Sequence, residues 1–486
     1  MAGHTPSAAS RRPYRRGGVL HADLCVIGAG AAGLALAAGA AQLGAAVVLV
    51  EKHRMGGDCL NSGCVPSKAL LAAARAAAAA RRAARFGIAA APAVDAAAVM
   101  RHVRQTIATL APHDSEERFR ALGVEVIRAP ACFLGPDVLA AGEERIRARR
   151  FAIATGSRPA VPPIPGLGEV PFLTNETIFD LAAPPPRLLV LGGGPMGAEM
   201  AQAFARLGSE VVLIERQRLL PREEPEAAAV LRARLAAEGI SLLEGAEVIA
   251  ARQEGEGIAL DLADGQRIAG SHLLLAAGRV PNVEGLGLAA AGVATTAQGV
   301  AVDAARRSRN RRIFALGDVA GGPAYTHAAA RDAAVVIRTA LFGLPARAED
   351  HLLPAAIYTD PEIARVGPTE AAARTAGERV QAVLQPLASN DRAVAEAEGE
   401  GFVKLLFGRR GRLLGGTIVA PHAGEMIGLL ALACARGLGA AALAQLVLPY
   451  PTIAEAIKRA AGAHLAPVLF GAPVRRLVGL LQRLLP

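Results

Sequence analysis

Gly56-Gly-Asp-Cys-Leu-Asn-Ser-Gly-Cys-Val-Pro-Ser-Lys68 carries two of the chain's five cysteines. Four residues lie between Cys59 and Cys64, a loop short enough to bring their Cα atoms within the roughly 4.4–6.8 Å that a disulfide spans. Residues five apart on a regular helix point about 140° away from each other, so a helix starts at or just inside this loop and relaxes when such a bond opens. Cys64 and Lys68, four apart, share a helix face. An ammonium and a helix N-terminus both favour thiolate over thiol. The spacing by itself admits a redox pair, a static staple or two buried cysteines.

Upstream, Asp23-Leu-Cys-Val-Ile-Gly-Ala-Gly-Ala-Ala-Gly33 reads as a buried strand running into glycines, followed by an Ala/Leu helix and a second strand, residues 46–50, that ends at Glu51. This is a βαβ unit with a dinucleotide fingerprint. Gly28 makes the turn, Gly30 lets backbone approach a pyrophosphate, Gly33 permits close helix packing and Glu51 accepts from a ribose hydroxyl. Glycines alone would also fit a plain tight turn; here strand, helix and acid follow in order. The pattern recurs at Arg187-Leu-Leu-Val-Leu-Gly-Gly-Gly-Pro-Met-Gly197, with Gly192, Gly194 and Gly197 in the loop and a strand ending at Glu215. Two dinucleotide folds in one chain mean two nucleotides. Glu215 favours the bare 2′-hydroxyl of NADH over the 2′-phosphate of NADPH, whereas Arg216 and Arg218 stand where they could reach such a phosphate.

The cysteine motif, about thirty residues after the first glycine loop, resembles that of the class I pyridine nucleotide-disulfide oxidoreductases, the family of dihydrolipoyl dehydrogenase, glutathione reductase and mercuric reductase. Matches run from about Asp23 to about Glu455. The resemblance implies an α/β fold with two Rossmann-like dinucleotide-binding domains, for FAD and for NAD(P)H, and an α+β C-terminal dimerisation domain that builds a homodimer. It implies a flavin facing Cys64, Cys59 as the thiol that meets the substrate, and Lys68 near the flavin N5, paired with Glu199. It further implies Gly57, Thr155, Gly156 and Thr326 as cofactor contacts, Asp318 on the ribityl chain of FAD, and Gly278 in the turn that closes the second fold. Lys68 is singled out independently. Lysine occurs only at 52, 68, 404 and 458, and a compact ammonium is not interchangeable with guanidinium.

Length and composition set bounds. At 486 residues the chain predicts more than one domain, and 52% hydrophobic with 20% charged residues reads as a soluble globular enzyme. A formal charge of +10 would suit nucleic acid or a membrane surface, but the cations are dispersed, aromatics are 3% and no nucleic-acid motif is present. A nucleic-acid partner is therefore not expected. One close cysteine pair is no secreted framework, so a reducing compartment, the cytoplasm, is expected. No resident metal is expected either.

The division read from the sequence is a disordered basic arm over 1–20, the FAD-binding domain over 21–160 and 283–350, the NAD(P)-binding domain over 161–282, the dimerisation domain over 351–465 and an amphipathic tail over 466–486. Residues 69–128 read as a helical pair on the flavin domain, with Arg75, Arg81, Arg82 and Arg85 on a solvated face. In the tail, Val474, Leu477, Val478, Leu481 and Leu485 share one face and Arg475, Arg476 and Arg483 lie largely on the other. Such a helix packs on the dimer or lies in a membrane interface.

One motif departs from the family. Its disulfide-reducing members carry His-Pro-x-x-x-Glu, an imidazole that shuttles protons; here the segment is Tyr450-Pro-Thr-Ile-Ala-Glu455. A phenol, with an ordinary pKa near 10, is a poor base at neutral pH. Mercuric reductases have tyrosine at the matching place, although this chain lacks their terminal cysteine pair and has no cysteine beyond Cys434. The expectation is an oxidoreductase that passes electrons from NAD(P)H through FAD and the Cys59–Cys64 pair to a soft metal ion or small-molecule oxidant, with Tyr450 and Glu455 beside the acceptor. A dihydrolipoyl dehydrogenase is the alternative. A membrane-attached flavoprotein with a merely regulatory disulfide is an alternative of another class.

Overall fold

The computed structural model describes residues 11–485. They form two compact units. One runs to Gly192 and includes Arg206–Glu210 and Glu247–Asp350; the other comprises Gly193–Ala205, Val211–Ala246 and the chain from His351 onward.

The first unit is built on a sheet with Glu125–Arg128, Val47–Glu51, Val19–Ile27 and Glu144–Ile153 in that spatial order. Leu24–Ile27 pairs in parallel with 47–50 on one side and 150–153 on the other. Successive side chains of a strand point to opposite faces. Leu24 and Val26 accordingly join a core with the helix Ala31–Gln42, while Cys25 and Ile27 join another with Phe133 and Phe151. An unbroken apolar run belongs to a strand covered on both faces. Burial pushes the Cys25 thiol up, so this cysteine packs and does no chemistry.

The same turn is built twice. Gly28 has φ +105° and a Cβ there would lie 2.4 Å from the Ala154 oxygen; Gly192 has φ +115° and a Cβ would lie 2.4 Å from the Ala276 oxygen. Only glycine allows that backbone and that approach together.

Two readings of the first unit are corrected. Within the stretch expected to be a disordered arm, Tyr14–Arg16 is a strand antiparallel to Val19–Ile27, and the Arg15 guanidinium grips both Glu144 carboxylate oxygens at 2.6 and 2.7 Å. The cause is the turn between the strands: Gly17 and Gly18 both have positive φ, the two-residue hairpin geometry. Residues 1–10 of the arm lie outside the described residues. The helical pair is present as Cys64–Arg82 and Ala96–Leu110, but its arginine face is not simply solvated, since Arg81 Nη1 donates to the Arg206 carbonyl at 2.7 Å.

In the second unit, residues 212–215 pair in parallel with Ser241–Glu244. From His351 the chain builds an antiparallel sheet in the order Ala355–Ile357, Glu362–Val366, Leu413–Ala420, Phe402–Phe407, Gln381–Pro386, whose core includes the helices Ala423–Ala435 and Glu455–Leu469. Phe402–Phe407 is buried at every residue, Lys404 included. The Lys404 ammonium lies 2.8 Å from Glu226, 2.9 Å from Glu370 and 3.1 Å from Glu224. Burial pulls its pKa down, and the three carboxylates outweigh burial and hold it above the ordinary value.

Removing one partner of a buried charge cluster costs about 3–5 kcal/mol. Lys404→Met is therefore expected to lower the unfolding free energy by about that much, measured by urea denaturation of the FAD-loaded protein. Glu370 is held below its ordinary 4.5 by the bond from Lys404 first and from Arg374 second. Because the folded value is the lower one, its contribution is present above pH 4.5 and is lost as pH falls below it.

Candidate active site

The cysteine loop and the first glycine loop touch through backbone. A Cβ on Gly57 would lie 2.6 Å from the Cα of Gly30, so Gly57 cannot carry a side chain at the contact. Gly30 caps the helix Ala31–Gln42 with no side-chain hydrogen bond, which leaves the amides of that N-terminus for a ligand. Glu51, buried, accepts from Ala29 N and His53 N at 2.6 Å each, closing the loop with one oxygen and its own turn with the other. An uncapped helix start beside side-chain-free backbone fits the pyrophosphate of FAD.

The helix Cys64–Arg82 begins at Cys64 itself. Cys59 and Cys64 are not joined by a disulfide. Cys64 Sγ lies 3.3 Å from Thr326 Oγ1, at the start of the helix Thr326–Val336. The two thiols are polarised in opposite senses. Cys64 is lowered to about 6, by the hydrogen bond from Cys59 first, then by Thr326 and Lys68, against burial and Asp58. Cys59 is pushed up, by its hydrogen bond to Cys64 first and by burial second. The pair is thus a thiolate held by a thiol, and the thiolate is the sulfur one turn before Lys68.

The segment Ala154-Thr-Gly156 is laced to Asn282: Thr155 Oγ1 donates to the Asn282 carbonyl at 2.7 Å, Asn282 Nδ2 donates to the Thr155 carbonyl at 2.9 Å, and Asn282 N donates to the Gly156 carbonyl at 2.9 Å. Gly278 has φ +126° and its carbonyl accepts from Ala160 N at 2.9 Å. Asp318 accepts from Ser157 Oγ at 2.5 Å, which leaves lone pairs for sugar hydroxyls. Cys59, Cys64, Lys68, Thr326, Glu51, Asp318 and these glycines all belong to the first unit.

The second unit holds the other candidates. Glu215 repeats the arrangement of Glu51, accepting from Gly193 N at 2.6 Å and Gln217 N at 2.8 Å. Gly194 has open space where a side chain would be. Arg216 is exposed. Arg218 is not placed as expected: its Nη2 donates to the carbonyls of Glu223 at 2.7 Å and Pro221 at 3.0 Å, so its guanidinium closes its own loop and does not reach for a phosphate. Glu199, buried, accepts from Tyr358 N at 2.9 Å. Tyr450, 70% exposed, donates its hydroxyl to Asp391 Oδ2 at 2.8 Å. That bond is the main reason the phenol is raised above its ordinary 10. Glu455 starts the helix Glu455–Leu469, and its Oε2 is buried with no hydrogen-bond partner among the described residues.

Sequence reading passed over Asp58, Asn175, Ser157 and Arg279 around the cysteines, and Asp391 beside Tyr450. Arg279 directly follows Gly278, the only signal among them; the rest meet their partners across long sequence separations.

Residues 22–333 match the family described as pyridine nucleotide-disulphide oxidoreductase, and residues 353–461 match its dimerisation domain. Mercuric reductase of Streptomyces lividans is 41% identical over 451 residues, 90% of this chain and 95% of that one. Dihydrolipoyl dehydrogenase 3 of Pseudomonas aeruginosa is 36% identical over 456 residues, 90% of this chain and 97% of that one. Among solved structures, the Cu(II) complex of the HOCl-induced flavoprotein disulfide reductase RclA from Escherichia coli is similar with a TM-score of 0.81 at 27% identity, covering 90% of this chain and 98% of that one. LpdA from Mycobacterium tuberculosis gives 0.83 at 28%, covering 91% and 99%. The chain therefore belongs to the pyridine nucleotide-disulfide oxidoreductases. It is an FAD-dependent, NAD(P)H-dependent flavoprotein disulfide oxidoreductase with two Rossmann-like folds and a dimerisation domain.

Proposed function

We propose that this enzyme works as a homodimer and delivers its electrons to a soft metal ion. The observation that carries this reading is the bond from Tyr450 to Asp391. Reducing an organic disulfide requires protons for the sulfurs that leave, and a phenol held protonated by a carboxylate is a poor shuttle at neutral pH. A metal ion such as Hg(II) takes two electrons and no proton: NAD(P)H and Hg(II) give NAD(P)⁺, Hg(0) and one H⁺. Soft ions prefer thiolate, and 41% identity to a mercuric reductase supports the same class. The test is oxidation of NADH by purified enzyme with Hg(II) or lipoamide; lipoamide turnover faster than that with Hg(II) would favour the dihydrolipoyl dehydrogenase reading.

FAD, when bound, supplies the two-electron relay between nicotinamide and sulfur. For it we assign Gly28, Gly30, Gly33, Glu51, Gly57, Thr155, Gly156, Asp318 and Thr326, within 21–160 and 283–350. Cys64 is the sulfur held as thiolate on the flavin side, stabilised by Lys68, which pairs with Glu199. Cys59 meets the acceptor, with Tyr450 and Glu455 near it through the dimer.

NADH is the proposed donor, bound over 161–282 by the loop Gly192, Gly194, Gly197 and by Glu215, with Gly278 closing the fold. Arg218 being spent on backbone carbonyls leaves Arg216 as the cation nearest a 2′-phosphate. Glu215→Ala is expected to weaken NADH more than NADPH, by ~1.5–3 kcal/mol for a lost charge-assisted bond. Comparison of KM values for the two donors checks this; an unchanged ratio contradicts it.

For the tail, packing on the dimer and contact with an anionic membrane surface are the two proposed readings. The helix Ala472–Leu481 buries none of its residues, its apolar side includes the exposed Leu477, Val478 and Leu481, and no acidic residue follows Glu455. Among the described residues no single helix is long and apolar enough to cross a membrane; the membrane reading takes the tail as an interfacial helix. Protein truncated after Leu469 is expected to keep turnover and lose sedimentation with anionic vesicles at low salt. Full-length protein that never co-sediments refutes the attachment.

A further inference from the structure

Asp58 stands immediately before Cys59, and its carboxylate is the hub of a network that no reading of the cysteine motif anticipates. Oδ1 accepts from Ser62 Oγ at 2.7 Å and from Asn175 Nδ2 at 2.8 Å, and the same amide nitrogen donates to the Ser62 carbonyl at 3.1 Å. The Asp58 carbonyl accepts from Ser62 N at 2.9 Å. The turn between the two cysteines is therefore closed by its own backbone and clamped by a side chain that is 6% exposed. Oδ2 takes Arg279 Nη2 at 2.9 Å. Arg279 in turn donates from Nε to Ser157 Oγ at 2.7 Å and from Nη2 to the Ser157 carbonyl at 3.0 Å, and its Nε lies 3.8 Å from Asp318. One ion pair thus joins the redox turn to the aspartate assigned to FAD, all within the first unit.

We infer that the Asp58–Arg279 pair is a positioning device that sets the redox potential of the Cys59–Cys64 couple, an inference that rests on the proposed redox role of that pair. Reduction breaks the S–S bond and takes up two electrons and one proton. Cys59 keeps the proton as a thiol and Cys64 is left as a thiolate. A carboxylate close by opposes that new negative charge and a guanidinium favours it. Asp58 already opposes the negative charge on Cys64, and Arg279, paired with its Oδ2 at 2.9 Å, tempers that opposition. Split, they push the couple in opposite directions.

The test equilibrates the FAD-loaded enzyme anaerobically, at one fixed pH, with dithiothreitol and its cyclic disulfide. Reduced dithiothreitol supplies both electrons, closes to its own ring, gives one proton to Cys59 and releases the other to solvent. The readouts are free thiols per chain and the long-wavelength flavin absorbance, with flavin content measured first. Asp58→Asn keeps the Oδ1 acceptor and removes the charge; it is expected to favour the reduced pair about tenfold, or about 30 mV. Arg279→Gln is expected to disfavour it by a similar factor, and the double variant to return near the starting value. Shifts of the same sign, or none, would overturn the inference and leave a structural clamp only. If the unmodified enzyme gains no thiols with dithiothreitol, the redox role of the pair falls, and the inference with it.

Discussion

Replacing Cys64 by serine is expected to abolish the long-wavelength charge-transfer band that appears when the enzyme takes up two electrons, and replacing Cys59 by serine is expected to leave that band present before any reductant is added. The asymmetry follows from the opposite polarisation of the two sulfurs. Cys64 is drawn down to about 6 by the thiol of Cys59, by Thr326 and by Lys68, so at neutral pH it carries the negative charge. Once Cys59 is serine, Cys64 has no partner with which to close a disulfide. The serine hydroxyl replaces the Cys59 thiol as a donor to Cys64 Sγ, beside Thr326 and Lys68, and Cys64 remains a thiolate. Either change is expected to reduce acceptor turnover to background, because the two-electron store is gone. Anaerobic absorbance spectra of the two variants check the assignment. If both lose the band, or both keep it, the roles of the two sulfurs are wrongly assigned.

Tyr450→His is expected to raise lipoamide turnover near pH 7 by about 10²-fold, the lower end of what a positioned general acid–base contributes. The phenol of Tyr450 is tied to Asp391 and raised above its ordinary range, so it neither takes nor returns a proton at that pH. An imidazole, with an ordinary pKa near 6.5, does both. Glu455 and Asp391 are available to orient it: Glu455 Oε2 has no hydrogen-bond partner among the described residues, and Asp391 loses its phenol donor in the variant. The measurement is steady-state NADH oxidation with lipoamide across pH 6–8. No gain at any pH would mean that protons are not what limits this enzyme with disulfides, and would remove the main support for a metal acceptor.

The parts of the fold that were legible in the sequence are those whose signal is local. A buried strand, a glycine that no side chain can replace and an acid at the end of the next strand lie within about thirty residues, and both dinucleotide folds stand as that pattern requires, with Glu51 and Glu215 making matching bonds to their own loops. Cys64 and Lys68 were legible because helix geometry fixes their relation. The features that escaped depend on distant partners. Asp58 looks like an ordinary variable position until Asn175 and Arg279 arrive from more than a hundred residues away. Arg218 looks available for a phosphate until its own loop folds back and occupies it. Lys404 looks like a solvent-facing break in an apolar strand, and becomes the centre of a buried cluster only when Glu224, Glu226 and Glu370 surround it. The Gly17-Gly18 hairpin was the exception, a local signal hidden by the arginines around it.

The central claim is that electrons stored on the cysteine pair leave to a soft metal ion more readily than to an organic disulfide. Its most direct test is anaerobic stopped-flow mixing of enzyme reduced by one equivalent of NADH with Hg(II) or with lipoamide, following loss of the charge-transfer band in a single turnover. Rapid reoxidation by Hg(II) is expected, with elemental mercury formed in step, and slow reoxidation by lipoamide. Fast reoxidation by lipoamide, with a band that persists or is merely quenched by Hg(II) without formation of elemental mercury, would contradict it.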